Sequence, residues 1–161
     1  MAETDALEAG AEPRAVNPQA LMTVGEVLRL ASQSPAHRDY TIAEFEERFL
    51  MPASVDQFRV YRTEIEPVAV VTWALVSDDI HKELETGRRA ISADEWRSGD
   101  NLWIIEAVIL PEVAEMVFED LTQSVFPNKI GNMWVADDDG NWAIERYYGA
   151  NRQGDAFAAE K

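Results

Sequence analysis

Hydrophobic and polar positions divide the chain into five segments with the character of β-strands. Residues 58–62 alternate, and residues 68–76, 102–110, 133–136 and 142–148 are rich in β-branched, aromatic and other apolar side chains. Short polar connections join the first two segments and the last two, which predicts antiparallel pairs. The segment 102–110 is almost continuously apolar, which is the pattern of a strand buried on both faces.

Helical spacing appears before, between and after these strands. A first helix is predicted to begin at Thr23, as N-cap, and to stop near Ser34-Pro35. A second is predicted after Thr41, with Glu44 in the capping-box position, and to end before Pro52. Two further helices and a short helical turn are predicted at residues 78–86, 111–125 and 92–96.

This order of elements predicts an α+β fold with a largely antiparallel sheet of about five strands, flanked by helices. A length of 161 residues suits one domain with its own core. We assign that domain to residues 21–150. Residues 1–20, which are acidic and hold few large apolar side chains, and residues 151–161 are expected to be flexible tails.

Composition excludes several functions. A formal charge of -16 argues against proteins that track nucleic acid or adhere to anionic membranes, because both need a positive surface. The absence of cysteine excludes disulfides, thiolate metal sites and a cysteine-bound acyl intermediate. No segment reads as a signal peptide or as a membrane span, so we expect a cytoplasmic protein.

The apolar segment 102–110 contains one charged residue, Glu106. A buried carboxylate is costly unless it is paired, hydrogen-bonded or protonated. One candidate partner is His37, one of two histidines in the chain, which lies between the first two predicted helices. The alternative is a structural Glu106 that an arginine or backbone donors satisfy.

Other polar groups leave two interpretations each. Ser34, three residues before His37, is either a nucleophile or a cap of the local turn. Arg88 and Arg89 either contact an acidic partner or form a solvated pair after a helix. His81 is expected to be an exposed surface histidine.

Metal and nucleotide sites are not indicated. Asp137, Asp139 and Asn141 alternate as calcium ligands do, but Gly140 is misplaced and no glutamate closes the loop, so we expect a solvated turn. The sequence contains no glycine-rich phosphate loop and no pyrophosphate loop typical of enzymes that use coenzyme A.

Three sequence features occur together at a characteristic separation: Ser34-Pro35-Ala36-His37-Arg38, the strand around Trp73-Ala74, and Trp96-x-Ser98-Gly99-Asp100-x-x-Trp103. From about Val24 to Tyr148 the chain resembles the RTX toxin-activating lysine acyltransferases of the haemolysin-activating type. The resemblance implies a GNAT-like fold. It also implies transfer of a fatty acyl group from acyl carrier protein to internal lysines of an RTX protoxin or similar acceptor.

The resemblance further implies that His37 and Glu106 form a catalytic pair, with Ser34 beside them and Arg88 and Arg89 toward the carrier. The family usually has an aspartate where this chain has Glu106. Acyl carrier protein would be the co-substrate, with no separate cofactor, and a homodimer is compatible with this reading. Two other readings stay open: a non-catalytic family member that binds carrier or acceptor, and a coenzyme-A-dependent N-acetyltransferase.

Overall fold

A computed structural model describes residues 18–159 of the chain. The α-helices are α1 (Pro18–Gln33), α2 (Ile42–Phe45), α3 (Met51–Ser54), α4 (Asp78–Thr86), α5 (Ala114–Asp120) and α6 (Gln153–Ala159). The strands are β1 (Phe58–Arg62), β2 (Pro67–Val76), β3 (Asn101–Ile109), β4 (Ile130–Ala136) and β5 (Trp142–Tyr148). Turns of π-helix cover Glu46–Leu50 and Leu121–Val125, and 3-10 turns cover Pro111–Val113 and Ala150–Arg152.

The five strands form one sheet in the order β1-β2-β3-β4-β5. All neighbours are antiparallel except β3 and β4, which run parallel and pair over only three residues each, 102–104 with 131–133. The predicted α+β class, with a mixed and largely antiparallel sheet flanked by helices, is confirmed. Beyond Ile104 and Met133 the parallel strands have no pairing with each other.

Helices cover both faces of this sheet. On one face, α1 and the segment from α2 to α3 pack on β2 and β3 through a cluster that includes Leu30, Phe49 and Val108. On the other face, α5 packs against the same strands through Val117 and Ile104. Burial of the central strands between these layers explains their nearly continuous apolar sequence.

The first helix begins earlier than the sequence pattern indicated. Helix α1 starts at Pro18, a residue type favoured in the first turn, so the prediction that Thr23 is its N-cap is wrong. The Thr23 hydroxyl instead donates to the carbonyl of Gln19 one turn earlier, at 3.1 Å. Of the predicted N-terminal tail, residues 18–20 therefore belong to α1, and residues 1–17 lie outside the described residues.

The second helix begins as predicted and continues further. Thr41 and Glu44 form the predicted capping box at the start of α2. The prediction of an end before Pro52 is wrong, because a π turn over Glu46–Leu50 leads directly into α3, which contains Pro52. The extra residue in that turn changes the helical register ahead of the proline ring. The predicted C-terminal tail likewise contains α6, and residues 160–161 lie outside the described part.

An irregularity in β3 determines the side of the sheet on which Glu106 lies. Thr72 of β2 pairs with Glu106 but Trp73 pairs with Ile104, so Ile105 is an extra residue in β3. Before this bulge Ile104 faces α5, and after it Val108 faces α1. Strict alternation from Ile104 would have placed Glu106 against α5, and the bulge turns it toward the loop that follows α1.

Candidate active site

His37 is held in a tight turn after α1. Its backbone N–H donates to the carbonyl of Ser34 at 3.0 Å, and its own carbonyl accepts from the N–H of Tyr40 at 3.1 Å. The turn brings the imidazole over β3, where it is 8% exposed. A turn between packed elements thus places a buried ring at a fixed position.

The imidazole of His37 contacts a side chain at each nitrogen. Its Nε2 lies 2.8 Å from Oε1 of Glu106, and its Nδ1 lies 2.6 Å from the Ser34 hydroxyl. The structure therefore brings together Ser34, His37 and Glu106, the three side chains that were candidates for the site from the sequence. The hydroxyl of Ser34 contacts the ring rather than the backbone of the turn.

These contacts fix the tautomer of the ring. The Glu106 carboxylate can only accept, so the Nε2 atom carries the proton and donates it in the hydrogen bond. The lone pair of the neutral ring is then on Nδ1, where it accepts from the Ser34 hydroxyl. A serine, a histidine and a carboxylate in this sequence of hydrogen bonds have the arrangement of a catalytic triad, with the two ring nitrogens exchanged.

Two residues that the sequence pattern did not single out complete the surroundings of Glu106. The Tyr40 hydroxyl donates to Oε2 at 2.9 Å, and Nη1 of Arg48 donates to the same oxygen at 3.2 Å. The Tyr40 ring also meets the His37 ring edge-on at 5.3 Å between centroids. Both predicted kinds of partner for Glu106, the histidine and an arginine, are therefore present at once. The sequence did contain one signal for Arg48, because it places a cation beside Phe45 and Phe49, on an otherwise apolar face of the predicted second helix.

These partners determine the charge of the cluster. Burial raises the pKa of the Glu106 carboxyl, but the hydrogen bonds from His37 and Tyr40 and the positive charge of Arg48 outweigh burial and hold that pKa below its ordinary value. Burial, together with the charge and hydrogen bond of Glu106, raises the pKa of Tyr40 to about 12. Near neutral pH the carboxylate is therefore ionised, and the phenol keeps the proton that it donates.

A cleft of about 730 Å³ opens beside the cluster. Its wall includes the side chains of His37, Tyr40, Arg48 and Glu106, whereas the half-buried Ser34 does not line it. The cleft extends along β3 and β4 where the two strands have ceased to pair. Three tryptophans, at positions 103, 134 and 142, contribute apolar surface to its lining.

Arg88 and Arg89 also line this cleft, in different settings. The Arg89 guanidinium pairs with Glu83 at 2.9 Å and with Glu95 at 2.7 Å. The Arg88 guanidinium lies 3.5 Å from the centre of the Trp142 ring, and no carboxylate within residues 18–159 pairs with it. Arg88 is thus the better placed of the two for a contact with an incoming anion.

The other polar candidates are structural in this fold. Asp137 closes the β4–β5 turn by accepting from the backbone N–H groups of Asp139 and Asn141, with Gly140 at φ +83°. Within residues 18–159 no group of three or more histidine, aspartate or glutamate side chains is arranged to hold a metal ion. No helix in the same range is long and apolar enough to cross a membrane.

Comparison with known proteins matches residues 16–147 to the RTX toxin acyltransferase family. The lysine-acyltransferase RtxC of Vibrio cholerae is 38% identical over 104 residues, covering 64% of this chain and 68% of that protein. An uncharacterised protein of Synechocystis is 31% identical over 129 residues, covering 78% and 87%. The protein-lysine palmitoyltransferase CyaC of Bordetella bronchiseptica is 30% identical over 95 residues, covering 58% and 51%.

The family match spans most of the chain, including both the turn that carries His37 and the strand that carries Glu106. The relatives with assigned activities are named as lysine acyltransferases. This chain belongs to the RTX toxin acyltransferase family.

Proposed function

We propose that this protein transfers a fatty acyl group from acyl carrier protein to the side-chain amine of internal lysines in an acceptor protein of the RTX protoxin type. Family membership and the lysine acyltransferase activity named for RtxC and CyaC support the reaction class. The observation that carries the proposal is the 2.8 Å contact between His37 Nε2 and Glu106 Oε1 at the wall of an open cleft.

In this reaction the lysine nitrogen attacks the carbonyl carbon of the thioester. A C–N bond forms, the C–S bond breaks, and the proton lost by the nitrogen is passed to the departing sulfur. A free lysine has a pKa of about 10.4 and a free imidazole a pKa of about 6.5, so the ring is a poor base for the resting ammonium group. The imidazole takes the proton later, as the C–N bond forms and the attacking lysine nitrogen becomes acidic. Glu106 then stabilises the positively charged ring through the Nε2 hydrogen bond.

Ser34 controls access to the basic nitrogen of the ring. Its hydroxyl occupies the lone pair of His37 Nδ1 at 2.6 Å, so a proton reaches that nitrogen through the hydroxyl or after the hydroxyl rotates away. A nucleophilic serine would instead form an acyl ester before the lysine reacts. We favour positioning of the ring over nucleophilic attack, because a nucleophile must reach the thioester in the cleft, which His37 lines and Ser34 does not.

The donor is supported by the shape and the charge of the cleft. Unpaired edges of β3 and β4 offer backbone hydrogen bonds to an extended arm that carries the acyl thioester. Arg88, on the rim, provides positive charge toward an acidic carrier despite the overall charge of -16. Because the carrier is a cytoplasmic protein of bacteria, we also propose a cytoplasmic location.

Two other readings have less support. A non-catalytic family member would have no need for His37 and Glu106 within hydrogen-bond reach, and their distance is 2.8 Å. A coenzyme-A-dependent acetyltransferase would need a pyrophosphate loop, and the sequence contains none of the glycine-rich type.

The donor is tested by presenting the same fatty acyl chain on acyl carrier protein and on coenzyme A, with a lysine-containing acceptor. We expect transfer from the carrier protein, and little inhibition when free coenzyme A is added in excess. Transfer from acyl coenzyme A alone, with strong competition by free coenzyme A, would replace the proposed donor with a nucleotide thioester.

A further inference from the structure

A side-chain hydrogen bond links the helical segment that contains Arg48 to the sheet. The carbonyl of Arg48 accepts from the hydroxyl of Thr72 on β2, at 3.1 Å. Pro52, about one turn later, has no N–H that could compete for that carbonyl. The π turn that carries Arg48 is thereby tied to the sheet by a side-chain hydrogen bond.

The strand residue that makes this tie is the one directly across from Glu106. Thr72 and Glu106 are paired between β2 and β3, next to the bulge that turns Glu106 toward His37. Arg48 is therefore fixed at both ends: its backbone is bonded to Thr72, and its guanidinium is bonded to Glu106. This double attachment sets the distance between the π turn and the carboxylate.

The orientation of the Arg48 guanidinium leaves one of its N–H groups without a hydrogen bond. Its Nε is buried and has no hydrogen-bond partner within the described residues, and an unpaired buried N–H is unfavourable. The guanidinium also lies 5.5 Å from the centre of the Tyr40 ring, whose hydroxyl donates to the same oxygen of Glu106. Arg48 and Tyr40 together occupy Oε2 and leave Oε1 for His37.

We propose that Arg48 is a positioning residue for acyl transfer: with Tyr40 it holds the Glu106 carboxylate so that Oε1 faces His37 Nε2 and the imidazole lone pair stays on Nδ1. This inference rests on the proposed function. A glutamate has one more rotatable bond than an aspartate, so its carboxylate needs a second support to present one oxygen to the ring. Arg48 provides that support from a separate element of the fold.

The charges around His37 give the proposal a pH signature. The charged and titratable groups that face the ring are Glu106 on β3, Tyr40 in its own turn and Arg48 on the π turn, with Arg88 farther along the cleft. Removing the cation at position 48 favours the protonated, unreactive form of the imidazole. The acidic limb of the rate profile then moves to higher pH.

The test compares Arg48→Met and Arg48→Lys with a matched control, Arg62→Met. Arg62 also pairs with a glutamate, Glu26, but does not line the cleft. For Arg48→Met we expect kcat to fall about 10- to 100-fold with KM changed by less than about threefold, together with the alkaline shift of the acidic limb. Arg48→Lys should recover part of the loss because it keeps the charge. Equal kcat and pH profiles for Arg48→Met and the control would overturn the inference.

A second measurement does not depend on turnover. At a pH high enough for the imidazole to be neutral in both proteins, the ¹⁵N NMR spectrum of the wild type should show the proton on Nε2, and Arg48→Met should show a mixture of tautomers. Tyr40→Phe removes one hydrogen bond from the same oxygen and should shift the mixture in the same direction, by less. An unchanged ring spectrum in both variants would overturn the positioning role. Absence of acyl transfer by the wild type, with these spectral changes present, would instead contradict only the proposed function.

Discussion

Each of the two histidines of the chain has a carboxylate partner, but only His37 is placed to accept and donate a proton in a reaction. His37 is buried and its Nε2 lies 2.8 Å from a buried carboxylate, Glu106. His81 is half-buried rather than exposed as predicted, and its Nε2 lies 3.6 Å from Glu85, which Arg146 also holds. A carboxylate near the ring is therefore common to both sites.

The difference lies at the second nitrogen. Nδ1 of His37 meets the hydroxyl of Ser34, a group that can pass on a proton or rotate away. Nδ1 of His81 accepts from the indole N–H of Trp103 at 3.0 Å, and an indole is a donor only. A histidine whose lone pair is used by a fixed donor supports the structure, whereas His37 keeps a lone pair that chemistry can reach. The partner of the lone pair thus distinguishes the two sites.

Replacement of the ring should give the largest effect and the clearest contrast. We expect His37→Ala to abolish acyl transfer while the far-ultraviolet circular dichroism spectrum stays that of the wild type, because the backbone bonds of the turn do not involve the ring. His81→Ala serves as the control in the same assay. A His37→Ala protein with near wild-type turnover would show that the ring does not move the proton.

Changes at Glu106 should come next in size. Glu106→Gln keeps the shape but removes the charge that stabilises the imidazolium, so we expect a rate loss on the order of ten- to ten-thousand-fold. Glu106→Asp should also be impaired, because its carboxylate is shorter by about 1.5 Å and falls short of His37. Steady-state kinetics and melting temperature should be measured together. A lower melting temperature with unchanged turnover in Glu106→Gln would make the carboxylate purely structural.

Ser34→Ala should have a smaller effect. If the hydroxyl positions the ring or relays a proton, we expect a loss of about tenfold or less, since water can replace it, whereas a nucleophile would lose at least about two to three orders of magnitude. Mass spectrometry of the wild-type protein after incubation with donor alone provides the second measurement. An acyl ester trapped on Ser34 would contradict the positioning role.

The smallest effect on activity is expected at the second histidine. His81→Ala leaves the buried Trp103 N–H without an acceptor, which should lower the free energy of unfolding by about 1–3 kcal/mol. Turnover should change by less than about twofold at a temperature where the variant is folded. Urea denaturation and the transfer assay measure the two effects separately. A large loss of turnover without a loss of stability would remove the contrast between the histidines.

Much of this arrangement could be predicted from local sequence. One acid in an otherwise apolar strand predicted a buried Glu106 with a partner, and the structure provides His37 and Arg48 as partners. The strands and the capping box at Thr41 followed from period and cap chemistry, which are local properties. The class of fold was predictable for the same reason.

The remaining features depend on contacts between distant segments. The bulge at Ile105 turns Glu106 to the correct face, and the π turn directs Arg48 toward it, but neither irregularity has a distinct sequence pattern. Pro52 indicated a helix end on its own. In the structure the helical segment continues through Pro52, and the carbonyl of Arg48 is bonded to Thr72, which lies on a strand distant in sequence. Tertiary packing therefore decided the details that the periodicity could not.

The most direct test of the central claim is identification of the acylated residue. The wild-type protein, fatty acyl carrier protein and a candidate RTX-type acceptor are incubated together, and the digested acceptor is analysed by tandem mass spectrometry. We expect one or more internal lysines to gain the mass of the fatty acyl group, in a reaction that requires both the donor and an intact His37. An acceptor without modified lysines, or equal modification with the His37→Ala protein, would contradict the account.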